Sequence, residues 1–129
     1  MCEKCSSLKV NIISFGYKFG LIDNPNLLVD VRCLENPYYV DELRELNGLN
    51  KKVSDFVMQF DSSKILAENI ITLIKTSLRL HLKKGFDVFT VAIGCTGGKH
   101  RSVTIAELIF KELIDCGYNV HINHRDIIK

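Results

Sequence analysis

No apolar run in this 129-residue sequence reaches the roughly 18–20 residues that span a bilayer. Met1-Cys2-Glu3-Lys4 starts no secretory signal pattern. No membrane role is therefore expected, and the cytoplasm is the expected compartment. Charge of one sign is also missing. Seventeen Lys and Arg against fifteen Asp and Glu leave a net charge of +2. Global electrostatics thus do not demand nucleic acid, and a local patch has to supply any attraction. Two prolines and eight glycines build no low-complexity tract, repeat or flexible linker. The cysteines are five, an odd number, and scattered: Cys2, Cys5, Cys33, Cys95 and Cys116. The odd count, the scattered spacing and the absence of a signal favour reduced thiols. Cys33 and Cys116 lie in apolar segments and read as small core residues. Cys2-x-x-Cys5 is half of a metal motif. His121 and His124, which could be proposed as the other half, point to opposite faces if they lie on a strand. No metal site and no cofactor are expected.

What is present fits one ordinary domain over residues 1–129, with 47% hydrophobic and 25% charged residues. Residues 8–15 and 27–32 read as strands one and two, separated by irregular chain marked by Gly16, Gly20 and Asn24-Pro25. Asn36-Pro37-Tyr38-Tyr39 is a turn with exposed aromatics, which serve either an interface or a cover for the core. Residues 43–49 read as loop with a short helix ending near Gly48. A short helix follows over residues 51–60. A longer one, capped by Ser62 or Ser63, runs to about Lys84, with Ile65, Leu66, Ile70, Leu73, Ile74, Leu78 and Leu82 as its buried stripe. Lys83-Lys84-Gly85 supplies a basic last turn and a glycine stop. Strand three covers 88–93. The last helix spans about 102–116 and buries Ile105, Leu108, Ile109 and Leu113. Gly117 ends it, and strand four covers 118–122. Strand three, helix and strand four form a βαβ unit with parallel strands. The expected fold class is α/β: a single-layer, mostly parallel sheet of about four strands, with helices on its faces.

The segment Gly94-Cys95-Thr96-Gly97-Gly98-Lys99-His100-Arg101-Ser102 joins strand three to the last helix. Ligands of open α/β sheets collect beyond the carboxyl ends of strands. A glycine turn opening a helix presents free N–H groups and the positive end of the helix dipole. Lys99, His100 and Arg101 add cations, so the loop suits phosphate or another compact anion. A Walker-type loop does not fit. Gly94 and Gly98 are separated by three residues rather than four, and His100 stands where the magnesium-binding hydroxyl belongs. Cys95, five residues, Arg101 and Ser102 also reproduce the Cys-x5-Arg-Ser spacing of cysteine phosphatases. A thiolate at a helix N-terminus is a credible nucleophile there. Asp30 is the one obvious general acid. The third reading is a glycine turn with no ligand.

Ser14-Phe15-Gly16-Tyr17-Lys18-Phe19-Gly20, Asp30-Val31-Arg32, Asn36-Pro37, Leu46-Asn47-Gly48-Leu49, the 94–102 loop and His124-Arg125-Asp126 occur in this order. Together they resemble the C-terminal domain of the RNase adapter protein RapZ family, from about Val10 to Asp126. The family's usual N-terminal Walker-type domain has no counterpart among these residues, so no nucleotide-triphosphate activity is expected of them. The resemblance implies a regulatory domain that senses the aminosugar phosphate glucosamine-6-phosphate. It also implies binding of small regulatory RNA and its presentation to an endoribonuclease, in a homo-oligomer. Enzyme activity is not expected.

On this reading Cys95, Thr96, Gly97 and Gly98 form the anion loop, with N–H groups offered by the last three. His100 and Arg101 add charge-assisted bonds, and Ser102 caps the helix. Asp30 and Arg32 share parity on strand two. Either they are a surface ion pair, or Asp30 accepts sugar hydroxyls or an ammonium group while Arg32 forks onto phosphate. Lys18 neutralises the anion or is a solvated loop lysine. Asn36 is a pocket-edge residue by resemblance or a pre-proline turn residue. Lys83, Lys84, Lys99, Arg125 and Lys129 are the candidate RNA contacts, against a reading as ordinary solvated charge.

Overall fold

The computed structural model describes residues 8–129. The sheet has four strands, all parallel, in the order β2-β3-β1-β4: β1 is Lys9–Gly16, β2 Leu27–Asp30, β3 Val88–Cys95 and β4 Asn119–His124. Three helices accompany it: α1 at Lys51–Met58, α2 at Asp61–Lys83 and α3 at Arg101–Asp115. β3 and β4 are parallel, as expected of a βαβ unit. β1 lies between them, pairing Ile12 with Val91 on one side and with Ile122 on the other.

Strand parity decides where the helices go. Val10 and Ile12 of β1, Phe89, Val91, Ile93 and Cys95 of β3, and Val120 of β4 share one face. They join one core with Val57 of α1, Ala67, Ile70, Ile74 and Leu78 of α2, and Ile105, Ile109 and Leu113 of α3. Each buried large aliphatic side chain there stabilises the fold by roughly 1.5–3 kcal/mol. On the opposite parity Lys9, Leu28, Val88, Asn119, His121 and Asn123 are exposed and Asn11, Ile13 and Thr90 half-buried, while Phe15 and Ala92 are fully buried. All three helices therefore cover the same face. The stripe of α2 is Ala67, Ile70, Ile74 and Leu78. Ile65 and Leu73, expected in it, fall out of phase and are 58% and 49% exposed.

Several local expectations need correction. β2 ends at Asp30 rather than Arg32, and residues 43–49 are turns without a helix. Neither Ser62 nor Ser63 caps α2; Phe60 precedes it with no side-chain cap. α1 has an unforeseen cap, Asn50, whose side chain accepts from the Lys52 N–H at 2.9 Å. Cys33 and Cys116 are exposed rather than core.

The carboxyl ends of β1 and β3 are locked together by backbone. Gly98 has φ +75°, a conformation that favours glycine, and a Cβ placed there would lie 2.5 Å from the Gly16 nitrogen. The Gly16 N–H donates to Asp126 Oδ2 at 2.7 Å. Asp126 is fully buried. Burial alone raises its pKa, but donation from Arg125, Gly16 and Lys129 outweighs that and lowers it to about 2.

Candidate functional site

β3 delivers the loop, α3 receives it, and a cavity of about 370 Å³ opens beside it. That volume is at the small end of small-molecule sites. Its walls come from two segments. Cys95, Thr96, Gly97, Lys99, His100 and Arg101 form one side, and Asn36, Tyr38, Tyr39, Arg44 and Glu45 the other, with Lys18 between them. The segments are tied together. His100 Nε2 donates to the Arg44 carbonyl at 3.2 Å, and the Gly48 N–H donates to the Lys99 carbonyl at 2.7 Å. The Lys18 N–H donates to the Thr96 carbonyl at 3.2 Å, which fixes the third wall.

Arg101 is the most constrained side chain of the site. It is 5% exposed and lines the cavity. Nη1 donates to the carbonyls of Arg32 at 2.7 Å and Leu34 at 3.1 Å, and Nη2 to Thr96 Oγ1 at 3.4 Å. Its buried Nε has no partner, and no carboxylate forms an ion pair with it, among the described residues. Asp30 acts on Arg101 only through space, without a direct ion pair, and a buried guanidinium with an unsatisfied N–H is costly. Arg101 Nε is the one buried side-chain polar atom without a hydrogen-bond partner among the described residues. A Cβ on Gly97 meets no atom within 4 Å, so that part of the loop is open to an incoming group.

The expected residues separate into three groups. Lys18, Asn36, Cys95, Thr96, Gly97, His100 and Arg101 line the cavity, and so does Lys99, which was expected to face solvent or RNA. Asn36 keeps its turn role as well, accepting from the Tyr38 N–H at 3.1 Å. Gly98 is packed against Gly16 instead of lining the cavity. Asp30 and Arg32 stand outside the cavity lining as an exposed, forked ion pair with a shortest distance of 2.7 Å. The Arg32 guanidinium also stacks 3.9 Å over the Tyr17 ring. The hydrogen bond from Arg32 holds the Asp30 carboxyl below its ordinary pKa, which keeps it ionised. It is therefore poorly suited to act as a general acid near neutral pH.

Two loop roles are corrected. α3 begins at Arg101 with His100 at the cap position, so Ser102 is not the cap. Ser102 is buried, and the Cys95 thiol donates to its hydroxyl at 3.1 Å. His100 is buried too. Desolvation pushes its imidazole below the usual pKa against the pull of the Leu46, Arg44 and Leu43 carbonyls. The ring is neutral near pH 7, so it closes the floor without the expected charge.

The candidate RNA contacts do not gather. Lys83 and Lys84 end α2 at the amino end of the sheet, far from the loop in topology. Arg125 and Lys129 pair with Asp126 at 2.8 and 2.9 Å. Arg125 also donates to the Gly20 carbonyl at 2.7 Å, bracing the chain after β1. His121 is exposed on the open face. His124 lies on the helix face between Ser14, 2.6 Å from its Nδ1, and Glu107, 2.7 Å from its Nε2. Ser14 is fully buried, so this serine-histidine-glutamate set presents no accessible nucleophile. Cys2 and Cys5 lie outside the described residues, and among those described no group of three His, Cys, Asp or Glu can hold a metal. No helix of the described residues is long and apolar enough to cross a membrane. Arg44 and Glu45 were missed in the sequence: they occur in irregular chain, where no periodicity marks a functional residue.

The family model described as the RapZ C-terminal domain matches residues 8–128. A nucleotide-binding protein of Carboxydothermus hydrogenoformans is 42% identical over 98% of this chain and 44% of its own length. One from Lawsonia intracellularis is 46% identical over 95% of this chain and 38% of its own. One from Clostridium acetobutylicum is 46% identical over 95% and 42%. The chain thus spans about two fifths of the length of these relatives. With a family match over nearly every described residue, the chain belongs to the RapZ C-terminal domain family.

Proposed function

We propose that this domain is a phosphosugar sensor that binds an aminosugar phosphate such as glucosamine-6-phosphate in the cavity beside the 95–101 loop. The observation that carries the reading is Arg101: buried, without a direct ion pair among the described residues, with an unpartnered Nε, on the wall of a sugar-sized cavity. Thr96 and Gly97 contribute backbone and hydroxyl donors, and Lys18, Lys99 and Arg44 contribute charge. Asn36, Tyr38 and Tyr39 form the wall for the sugar. Asp30 and Arg32 buttress the site, since the Arg32 carbonyl orients Arg101. The bound state is the regulatory signal, and no bond is made or broken. The cysteine-phosphatase alternative is disfavoured by Asp30, which is outside the cavity lining and held ionised by Arg32, leaving no general acid beside Cys95.

Within the same proposal, the domain acts in the cytoplasm as part of a homo-oligomeric adapter for small regulatory RNA and an endoribonuclease. With Lys99 turned to the cavity, Lys83 and Lys84, both exposed, are the candidate cations left for RNA phosphates. Calorimetry with inorganic phosphate and glucosamine-6-phosphate tests the sensor reading on wild-type protein and on Gly97→Val. The variant has room for its side chain and is expected to fold, while losing at least tenfold in affinity for both anions. Unchanged affinity in the variant would refute this placement of the anion.

A further inference from the structure

Lys18, Arg44, Lys99 and Arg101 make the cavity cationic, and among the described residues Glu45 is the single carboxylate that lines it. Among the described residues the Glu45 side chain forms no ion pair. Its chain neighbour Arg44 is turned instead to Asp41 at 2.9 Å and to the Tyr38 carbonyl at 2.8 Å. Lys18 and Lys99 are also without ion pairs among the described residues, so cavity-lining cations and an unpaired anion coexist. The strip that carries Glu45 is fixed in place. The Arg44 carbonyl is bonded to His100, and the Gly48 N–H to the Lys99 carbonyl. Glu45 is thus held on the 36–45 wall, while the loop supplies the other.

We propose that Glu45 is the specificity-determining residue of this cavity, selecting anions that carry an ammonium group away from their phosphate. The proposal rests on the anion reading above. The phosphate satisfies Arg101 and the loop, and the ammonium meets Glu45, so each end of a zwitterionic ligand faces its opposite charge. A hydroxyl at the same position gains a neutral-donor bond, and a charge-assisted bond is about twice as strong. Glu45 is solvent-exposed, so water screens the pair and the discrimination is modest, about five- to tenfold.

Titration calorimetry with inorganic phosphate, glucose-6-phosphate and glucosamine-6-phosphate tests this. Wild-type protein is expected to bind glucosamine-6-phosphate about five- to tenfold tighter than glucose-6-phosphate. Glu45→Gln is expected to bind the two sugars equally, with phosphate and glucose-6-phosphate bound at least as tightly as by the wild type, because a negative charge has left the cavity. Glu45→Asp keeps part of the preference. Equal affinities in the wild type, or a full preference in Glu45→Gln, overturn the role of Glu45 alone. Absence of binding by all three probes overturns both this inference and the anion reading.

Discussion

Lys83 and Lys84 at the amino end of the sheet and Lys99 and Arg101 at its carboxyl end carry the same charge in opposite surroundings. The first pair is exposed on the last turn of α2, beside Gly85, Phe86 and Val88, all exposed. Neither lines the cavity. The second pair stands where a β3–α3 loop is clamped between β1 and the 43–48 strip, and Arg101 is buried by it. Both ends also carry a glycine at positive φ: Gly85 at +83° with nothing within 4 Å of a Cβ, and Gly98 at +75° with backbone at 2.5 Å. Local charge and local backbone geometry are therefore nearly matched. The difference lies in packing, which buries one cation with an unpartnered N–H and leaves the lysines of the amino end solvated.

The widest separation between the two ends should come from the glycines. Gly98→Ala is expected to cost about 3 kcal/mol or more, because left-handed strain adds to a clash with the Gly16 backbone. Gly85→Ala is expected to cost about 1–2 kcal/mol, the strain alone. Urea denaturation of the two variants measures both. Equal losses would mean that the Gly16–Gly98 crossing does not brace the loop.

Arg101→Ala is expected next, with a loss of about 2–3 kcal/mol in phosphosugar affinity, as for a charged hydrogen-bond partner. Arg101→Lys keeps the charge but not the fork that holds two carbonyls, and should recover only part of it. Lys83→Ala should change affinity by less than about 0.5 kcal/mol. Calorimetry ranks the three, and a Lys83 effect as large as that of Arg101 would erase the distinction between the ends.

The loop itself, the strand before it and the helix after it were legible because hydrophobic run, glycines and cations follow each other without a break. Two-residue parity was legible along strand two, but the register of the sheet and the face its helices cover were not. The Asp30–Arg32 pair was visible in the same way, but the choice between ligand contact and ion pair was not, since that depends on Tyr17 and Arg101 folding back beside it. Arg125 and Lys129 read as free cations because their partner, Asp126, is buried by Gly16, 110 residues away. Glu45 and Arg44 were silent because turns carry no period. Their role arises when Gly48 and the Arg44 carbonyl dock on the start of α3.

Asp126 sharpens the comparison through pH. Its folded pKa, about 2, lies below the ordinary carboxylate value of 3.8. The group therefore contributes stability fully above the unfolded value, and that contribution is lost as pH falls from about 4 towards 2. Denaturation midpoints between pH 6 and pH 2 should fall more steeply in the wild type than in Asp126→Asn, with a difference on the order of 2 kcal/mol at most. Parallel profiles would show that Asp126 does not carry the latch under Gly16. The smallest effect is expected at the amino end. Changing Lys83 and Lys84 together to Ala should weaken RNA binding and reduce its salt slope by about one to two units. An unchanged slope in gel-shift titrations would remove those lysines from the RNA surface.

The central claim is that one end of the sheet holds the anion, and amide chemical shifts locate it directly. In a proton–nitrogen correlation titration with glucosamine-6-phosphate, the amides of Thr96, Gly97 and Lys99 and the Arg101 Nε–H are expected to move together and saturate. Those of Lys83, Lys84 and Gly85 should stay still. Shifts confined to the amino end, or a titration in which the Arg101 Nε–H never moves, would contradict the account.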